Sequence, residues 1–167
     1  AIAQIVDRMD STGLDELSMQ FIQRLPRDPF TTAQLHRVMK ADPTWTGKLE
    51  TARRLRAVGD RRAALACLQK NESEISSEET LLSATILAEL GERDAAKEKL
   101  AGIQVSSPSH PQAMLLSARL GSLTNDTAAI DAAVDAVLAT EDVQVIQSLV
   151  EQLIFDRRLE RVTPALV

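Results

Sequence analysis

Two stretches of this chain share one pattern at a fixed distance. Leu55, Gly59, Ala64 and Leu68 recur 32 residues later as Leu87, Gly91, Ala96 and Leu100. In each, a run with apolar residues at helical spacing ends in glycine, and a second such run follows at once. A period near 32 residues built on two helices and a turn is the mark of a helical solenoid. A single unit of that kind cannot bury its apolar face alone and must stack on its neighbours.

The side chains available for such stacking fit close helix packing. Apolar residues make up 44% of the 167, but aromatics only 2%: Phe21, Phe30, Trp45 and Phe155, with no Tyr. A core of Ala, Leu, Val and Ile suits helices better than a sheet, which draws on β-branched and aromatic pairs. The expected fold class is all-α, a stack of about four to five helix pairs.

Taken in order, residues 1–12 read as a helix of a preceding repeat, with Ile2, Ile5, Val6 and Met9 on one stripe. Tandem pairs follow over 13–43, 44–76, 77–109, 110–141 and a truncated 142–167. In the first, a helix over 14–25 carries Leu14, Leu17, Phe21, Ile22 and Leu25 and stops at Pro26. Asp28-Pro29 then caps a partner over 31–41 with Leu35, Val38 and Met39 inward. Pro43 blocks continuation.

The second pair starts at Thr44-Trp45, reaches Val58, turns at Gly59 and runs over 60–70. A polar connector leads to Ser76 or Ser77 as the next cap. The third pair spans 80–90 and 93–103, and the fourth 111–123 and 127–139 with Asp126 as a cap. There the glycine has moved to Gly121, which leaves the turn at Asn125-Asp126 less defined. The fifth pair reads 142–155 and then 158–167, weakened by Pro164.

These features resemble the tetratricopeptide repeat family. The likeness is carried by Gly59 with Ala64 and Leu68, by Gly91 with Ala96, Leu100 and Pro108, and by the small residues Ala52, Ala84 and Ala118. It covers about 13–167 and is strongest over 45–108. The chain departs from the family where Leu55, Leu87 and Gly121 replace aromatics, and where Ile130 and Arg161 replace alanines. The repeats are degenerate, and the resemblance implies a right-handed α-α superhelix.

In the family the first helices of the pairs line the concave, ligand-holding surface. The resemblance therefore implies partner-binding positions at Leu49, Arg53, Arg56, Leu81, Thr85, Leu115, Arg119, Ile146 and Val150. Family members that dock chaperones clamp a terminal carboxylate with Lys and Asn. Leu49 and Leu81 stand there instead, so that clamp is rejected. An apolar strip with Arg53 and Arg119 beside it suits a peptide whose apolar anchors seat on leucine and whose acidic groups pair with arginine.

Catalytic patterns are missing. His36 and His110 lack ligand neighbours at helical spacing, so no metal is expected; His36 reads as a helix surface residue and His110 as a loop residue. Cys67, the only cysteine, reads as a small packed side chain and cannot form an internal disulfide. No phosphate loop or nucleophile elbow stands in the chain, and no cofactor is expected. The sequons at Asn71 and Asn125 read as chance matches. Arg53, Arg54 and Arg56 read first as a solvated basic face, with recognition as the alternative.

A net charge of -5 argues against a nucleic-acid partner, which needs clustered Lys and Arg. No apolar run nears the roughly 18 residues of a spanning helix, so direct membrane insertion is not expected. The chain opens without Met and stops inside a helical pattern, which suggests a piece of a longer polypeptide. Arginine outnumbers lysine 14 to 5, a bias of GC-rich bacterial sources.

The leading expectation is a non-catalytic scaffold that binds a protein or peptide partner in its groove. One alternative is a periplasmic tetratricopeptide scaffold of an exopolysaccharide synthesis or secretion complex. Another is an oligomerisation or regulatory domain attached to an enzyme, with a homodimer through apolar solenoid ends at Ile2, Ile5 and Val6 or Val162, Leu166 and Val167. The compartment stays open between cytoplasm and periplasm.

Overall fold

A computed structural model describes residues 24–26, 28–41, 47–69 and 75–155. The helices expected over 1–12 and 158–167, residues 14–23 of the one expected over 14–25, Trp45, the sequon at Asn71 and the apolar ends lie outside the described residues. So do the side chains of Val38 and Met39. All regular structure among the described residues is helical. The chain forms two compact units, divided between Ile75 and Ser76.

In the first unit, α1 (Pro29–Ala41), α2 (Lys48–Ala57) and α3 (Arg61–Leu68) follow one another. Asp28 starts α1: its carboxylate accepts the Thr31 N–H at 2.9 Å and the Thr31 hydroxyl at 2.6 Å. Thr32 donates to the Asp28 carbonyl at 2.8 Å, so both threonines are buried with satisfied hydroxyls. Those bonds hold the Asp28 carboxyl below its usual range, the Thr31 hydroxyl contributing most and the Thr31 N–H next. α2 packs against both α1 and α3, burying Leu35, Ala52, Leu55, Ala64, Cys67 and Leu68.

Arg54 corrects the reading of a solvated basic run. It is 2% exposed, donates to Glu50 at 3.0 Å, and reaches the carbonyls of Leu25 at 3.2 Å and Pro26 at 2.9 Å. A guanidinium has five donors in a fixed fork, so one side chain pairs a buried carboxylate and ties down the two carbonyls that precede α1. Helical spacing alone does not tell this arginine from its neighbours.

The second unit runs α4 (Ser77–Glu89), α5 (Arg93–Ala101), α6 (His110–Thr124), α7 (Thr127–Leu138) and α8 (Val143–Phe155). α4 starts earlier than the expected residue 80 because Ser76 and Glu79 form a capping box. The Ser76 hydroxyl accepts the Glu79 N–H, and the Glu79 carboxylate accepts the Ser76 N–H. His110, expected in a loop, is instead the first residue of α6, followed by proline in the position where its missing N–H costs nothing.

Packing in this unit passes from each hairpin to the next. α4 lies against α5 and α6, α5 against α6, α6 against α7 and α8, and α7 against α8. The result is a repeat-like helical stack whose layers share side chains such as Leu87, Leu100, Leu120, Val134 and Leu149.

Three hairpins in the chain turn the same way. Gly59 and Gly91 have φ of 91° and 84°, a region that costs little only for glycine, and both are exposed. In each, the residue after the glycine sends its N–H back across the turn: Asp60 to the Leu55 carbonyl and Glu92 to the Leu87 carbonyl, both at 2.9 Å. That bond closes a Schellman motif. The α6–α7 turn makes the same bond, Asp126 to the Gly121 carbonyl at 2.9 Å, with Asn125 at φ 54° in the glycine's place. Asparagine is the residue that most readily substitutes there.

The glycine has therefore not moved within the turn; Gly121 does a different job. By the shared bond, Gly121 is the counterpart of Leu55 and Leu87, and Ile130 that of Ala64 and Ala96. A Cβ on Gly121 would lie 3.0 Å from the Asp126 carbonyl oxygen, 3.1 Å from Ile130 Cγ1 and 3.3 Å from Ala129 Cβ. The first two hairpins set a large residue on the first helix against a small one on the second. The third exchanges them, keeping total volume roughly constant, as a close-packed interior requires.

Candidate partner-binding surface

The first helix of each pair ends in one of these turns or stacks on one that does, so the turns set which face of each helix the hairpin leaves uncovered. In the first unit, Leu49 and Arg56 on α2 are half-buried and Arg53 is exposed. In the second, Leu81 and Thr85 on α4, Leu115 on α6, and Ile146 and Val150 on α8 are half-buried, whereas Arg119 is exposed. Within each helix the paired positions are four residues apart and share a face.

The Thr85 hydroxyl donates to the Leu81 carbonyl at 2.8 Å, so its hydrogen-bonding capacity is spent inside the helix. Leu115, Ile146 and Val150 lean on a core of Ala118, Ile130, Ala133, Val134, Val137, Val145, Leu149 and Leu153. They are thus the margin of the core, with only part of each side chain on the surface.

Sequence reasoning missed three exposed apolar residues beside the expected positions on α6 and α8. Leu123, 55% exposed, follows Gln112 and Arg119 by eleven and four positions on the outer face of α6. Val143 and Ile154 are 71% and 55% exposed and flank Ile146 and Val150 along α8. The spacing Val143, Ile146, Val150, Ile154 was a usable signal: it is the wide apolar stripe of an amphipathic helix, beside the core positions Val145, Leu149 and Leu153.

The charges nearby serve the hairpins. Asp126 accepts the Ala129 N–H at 3.1 Å and starts α7; it also pairs with Lys97 of α5 at 3.1 Å, and Lys97 reaches the Thr124 hydroxyl at 3.4 Å. The Ala129 N–H first and Lys97 second hold the Asp126 carboxyl below its usual range. Cys67 is buried, and His36 and His110 are half-buried on different units. Among the described residues no three His, Cys, Asp or Glu side chains gather as metal ligands, and no helix is long and apolar enough to cross a membrane.

What this surface offers chemically is apolar contact at core-edge aliphatic side chains, with an arginine that can take a carboxylate in two parallel bonds. No family model, characterised protein or solved structure matches the chain. The functional reading therefore rests on the repeat geometry itself.

Proposed function

We propose that this chain is a tetratricopeptide-like solenoid segment that serves as a non-catalytic interaction scaffold. It holds a protein or peptide partner along its first-of-pair helices. The observation that carries the reading is the recurrence of one hairpin, with the same 2.9 Å turn bond at Leu55, Leu87 and Gly121, together with the packing of successive hairpins within the second unit, α4 and α5 against α6 and α6 and α7 against α8. Stacks of equivalent helix pairs present extended surfaces made of corresponding positions, and proteins with that architecture use them to bind chains. On α4, α6 and α8 these positions are Leu81, Thr85, Leu115, Arg119, Ile146 and Val150; on α2 they are Leu49, Arg53 and Arg56.

The test is partner capture by the full chain followed by titration of the captured protein against R53E and R119E. Both arginines are exposed, so charge reversal leaves the helical circular dichroism unchanged. Loss of binding supports the surface, and equal binding by wild type and both variants rejects it.

A second reading has its own observation. The apolar stripe of α8 with Val143, Ile154 and the 85%-exposed Phe155 is the kind of face that self-associates. Light scattering over a concentration series checks it: constant monomer mass removes it, and a mass that falls with V143S/I154S supports it.

A further inference from the structure

The first-of-pair helices of the second unit differ in what covers them. α4 has its hairpin partner α5 and the following α6 against it, and of its residues only Glu78 and Glu89 are exposed. α6 has α7 as its hairpin partner, with α4, α5 and α8 as further neighbours. α8 holds the same place in the order, yet its neighbours among the described residues are α6 and α7, reached through Val145, Leu149 and Leu153. The position that α5 takes on α4, and α7 on α6, has no described counterpart on α8. What this leaves is a straight apolar row. Val143 and Ile154 are 71% and 55% exposed, and Ile146 and Val150 between them are half-buried. The four share one face over three turns, a length of about 16 Å.

The charge beside this row is negative. Glu141 stands at its N-terminal end and Glu151 borders it near the other, both exposed. Glu151 accepts the neutral Gln147 amide at 2.9 Å, and neither carboxylate forms an ion pair among the described residues. Asp142 is set aside, because its carboxylate accepts the Gln144 and Val145 N–H groups that start α8. The surplus extends through the same unit: residues 76–167 hold fourteen acidic side chains against seven basic, Arg157, Arg158 and Arg161 included.

We propose that the exposed row of α8 is a docking site for a basic amphipathic helix of a partner protein. Its aliphatic side chains lie along Val143, Ile146, Val150 and Ile154, and its Lys or Arg side chains reach Glu141 and Glu151. The inference rests on the scaffold reading and names the partner that α8 takes. A helix is the occupant because a row of side chains at this spacing is a ridge that fits the groove of another helix, and helix against helix is how α4 and α6 are covered. A basic one is selected by charge. A second copy would bring Glu141 and Glu151 to the same face, and nucleic acid or an acidic peptide meets the negative surplus of the unit. The chain itself has eight residues, 156–163, between α8 and Pro164, too few for a turn and a helix as long as the row.

The experiment titrates the full chain into a fluorescein-labelled peptide of Leu and Lys, patterned as one amphipathic helix, and reads anisotropy. One control peptide scrambles the order, which removes the apolar stripe; another has Glu for Lys. V143S/I154S and E141Q/E151Q alter exposed side chains, so helical circular dichroism is kept, and E92Q/E98Q removes the same charge from exposed positions of α5. The Leu-Lys peptide is expected to bind. V143S/I154S weakens it by about tenfold or more, E141Q/E151Q by about threefold to tenfold and E92Q/E98Q by less than about twofold, with rising salt weakening the wild type. R119E, which tests the scaffold surface, does not weaken this peptide, so the two readings fail separately. No binding, equal binding of either control peptide, no effect of V143S/I154S, E92Q/E98Q matching E141Q/E151Q, or a dimer through α8 that the peptide does not displace each overturns the proposal.

Discussion

Replacing Ile130 by alanine removes three buried carbons from a side chain with no exposed surface. At about 0.8 kcal/mol per buried methylene the transfer term alone is about 2.4 kcal/mol, and the cavity left beside Gly121 brings the expected cost to about 3 to 4 kcal/mol. Gly121→Leu has the opposite defect. Its Cβ would already sit 3.0 Å from the Asp126 carbonyl and 3.1 Å from Ile130 Cγ1. Overpacking of this kind costs about 1 to 3 kcal/mol, partly offset by up to about 1 kcal/mol of helix propensity.

Combined, G121L/I130A installs the Leu and Ala found at the corresponding Leu87 and Ala96, and each change relieves the other. The double variant is expected to be more stable than the sum of the singles by about 2 kcal/mol or more, a size typical of residues in direct contact. Urea unfolding of the four proteins of the cycle, followed by circular dichroism, measures the coupling. Additivity within about 0.5 kcal/mol would refute the idea that the third hairpin exchanges large and small positions across one interface.

Arg54→Met strands the Glu50 carboxylate in a buried site and releases the Leu25 and Pro26 carbonyls. It should cost about 3 to 5 kcal/mol in urea unfolding, with E50Q/R54M recovering part of that; a loss under about 1 kcal/mol would show the pair to be dispensable. Gly59→Ala and Gly91→Ala each force a side chain into left-handed backbone with open space around it, so strain alone should cost about 1 to 2 kcal/mol. Asn125→Gly, at the third such turn, should be neutral or slightly stabilising, and a clear loss would mean that the asparagine side chain holds the turn.

Asp126 carries a pH prediction with a definite sign. Its folded carboxyl lies below the ordinary value of 3.8, so its contribution is complete above that pH and is lost as pH falls through the lowered folded value. D126N keeps a capping oxygen but loses the charge facing Lys97. It should unfold at lower urea than the wild type at neutral pH, and the gap should close in acid; a gap constant with pH would remove the charge from the account. Asp28, lowered by Thr31, predicts the same direction for D28N.

Much of this fold was legible residue by residue because its signals act over four or five positions. The positive-φ glycines at 59 and 91 and the caps at Asp28, Ser76 and Asp126 all involve backbone groups within a single turn of their own side chains. So the hairpins and the all-helical class follow from the order of residues alone. Sequence order also supplied both Gly121 and Ile130 as departures from the pattern of the earlier pairs, but not their relation.

That relation is a property of two surfaces meeting. Gly121 and Ile130 compensate because the turn sets them against each other, and volume is conserved across an interface rather than along a chain. The same holds for Arg54, told from Arg53 and Arg56 only by the Leu25 and Pro26 carbonyls that reach it from twenty-nine and twenty-eight residues away. It holds equally for Leu123, Val143 and Ile154, whose periodicity marks a stripe while only the neighbouring helices decide how much of it stays in water. Local hydrogen bonding was written in the sequence; burial, which needs partners distant along the chain, was decided by the packed structure.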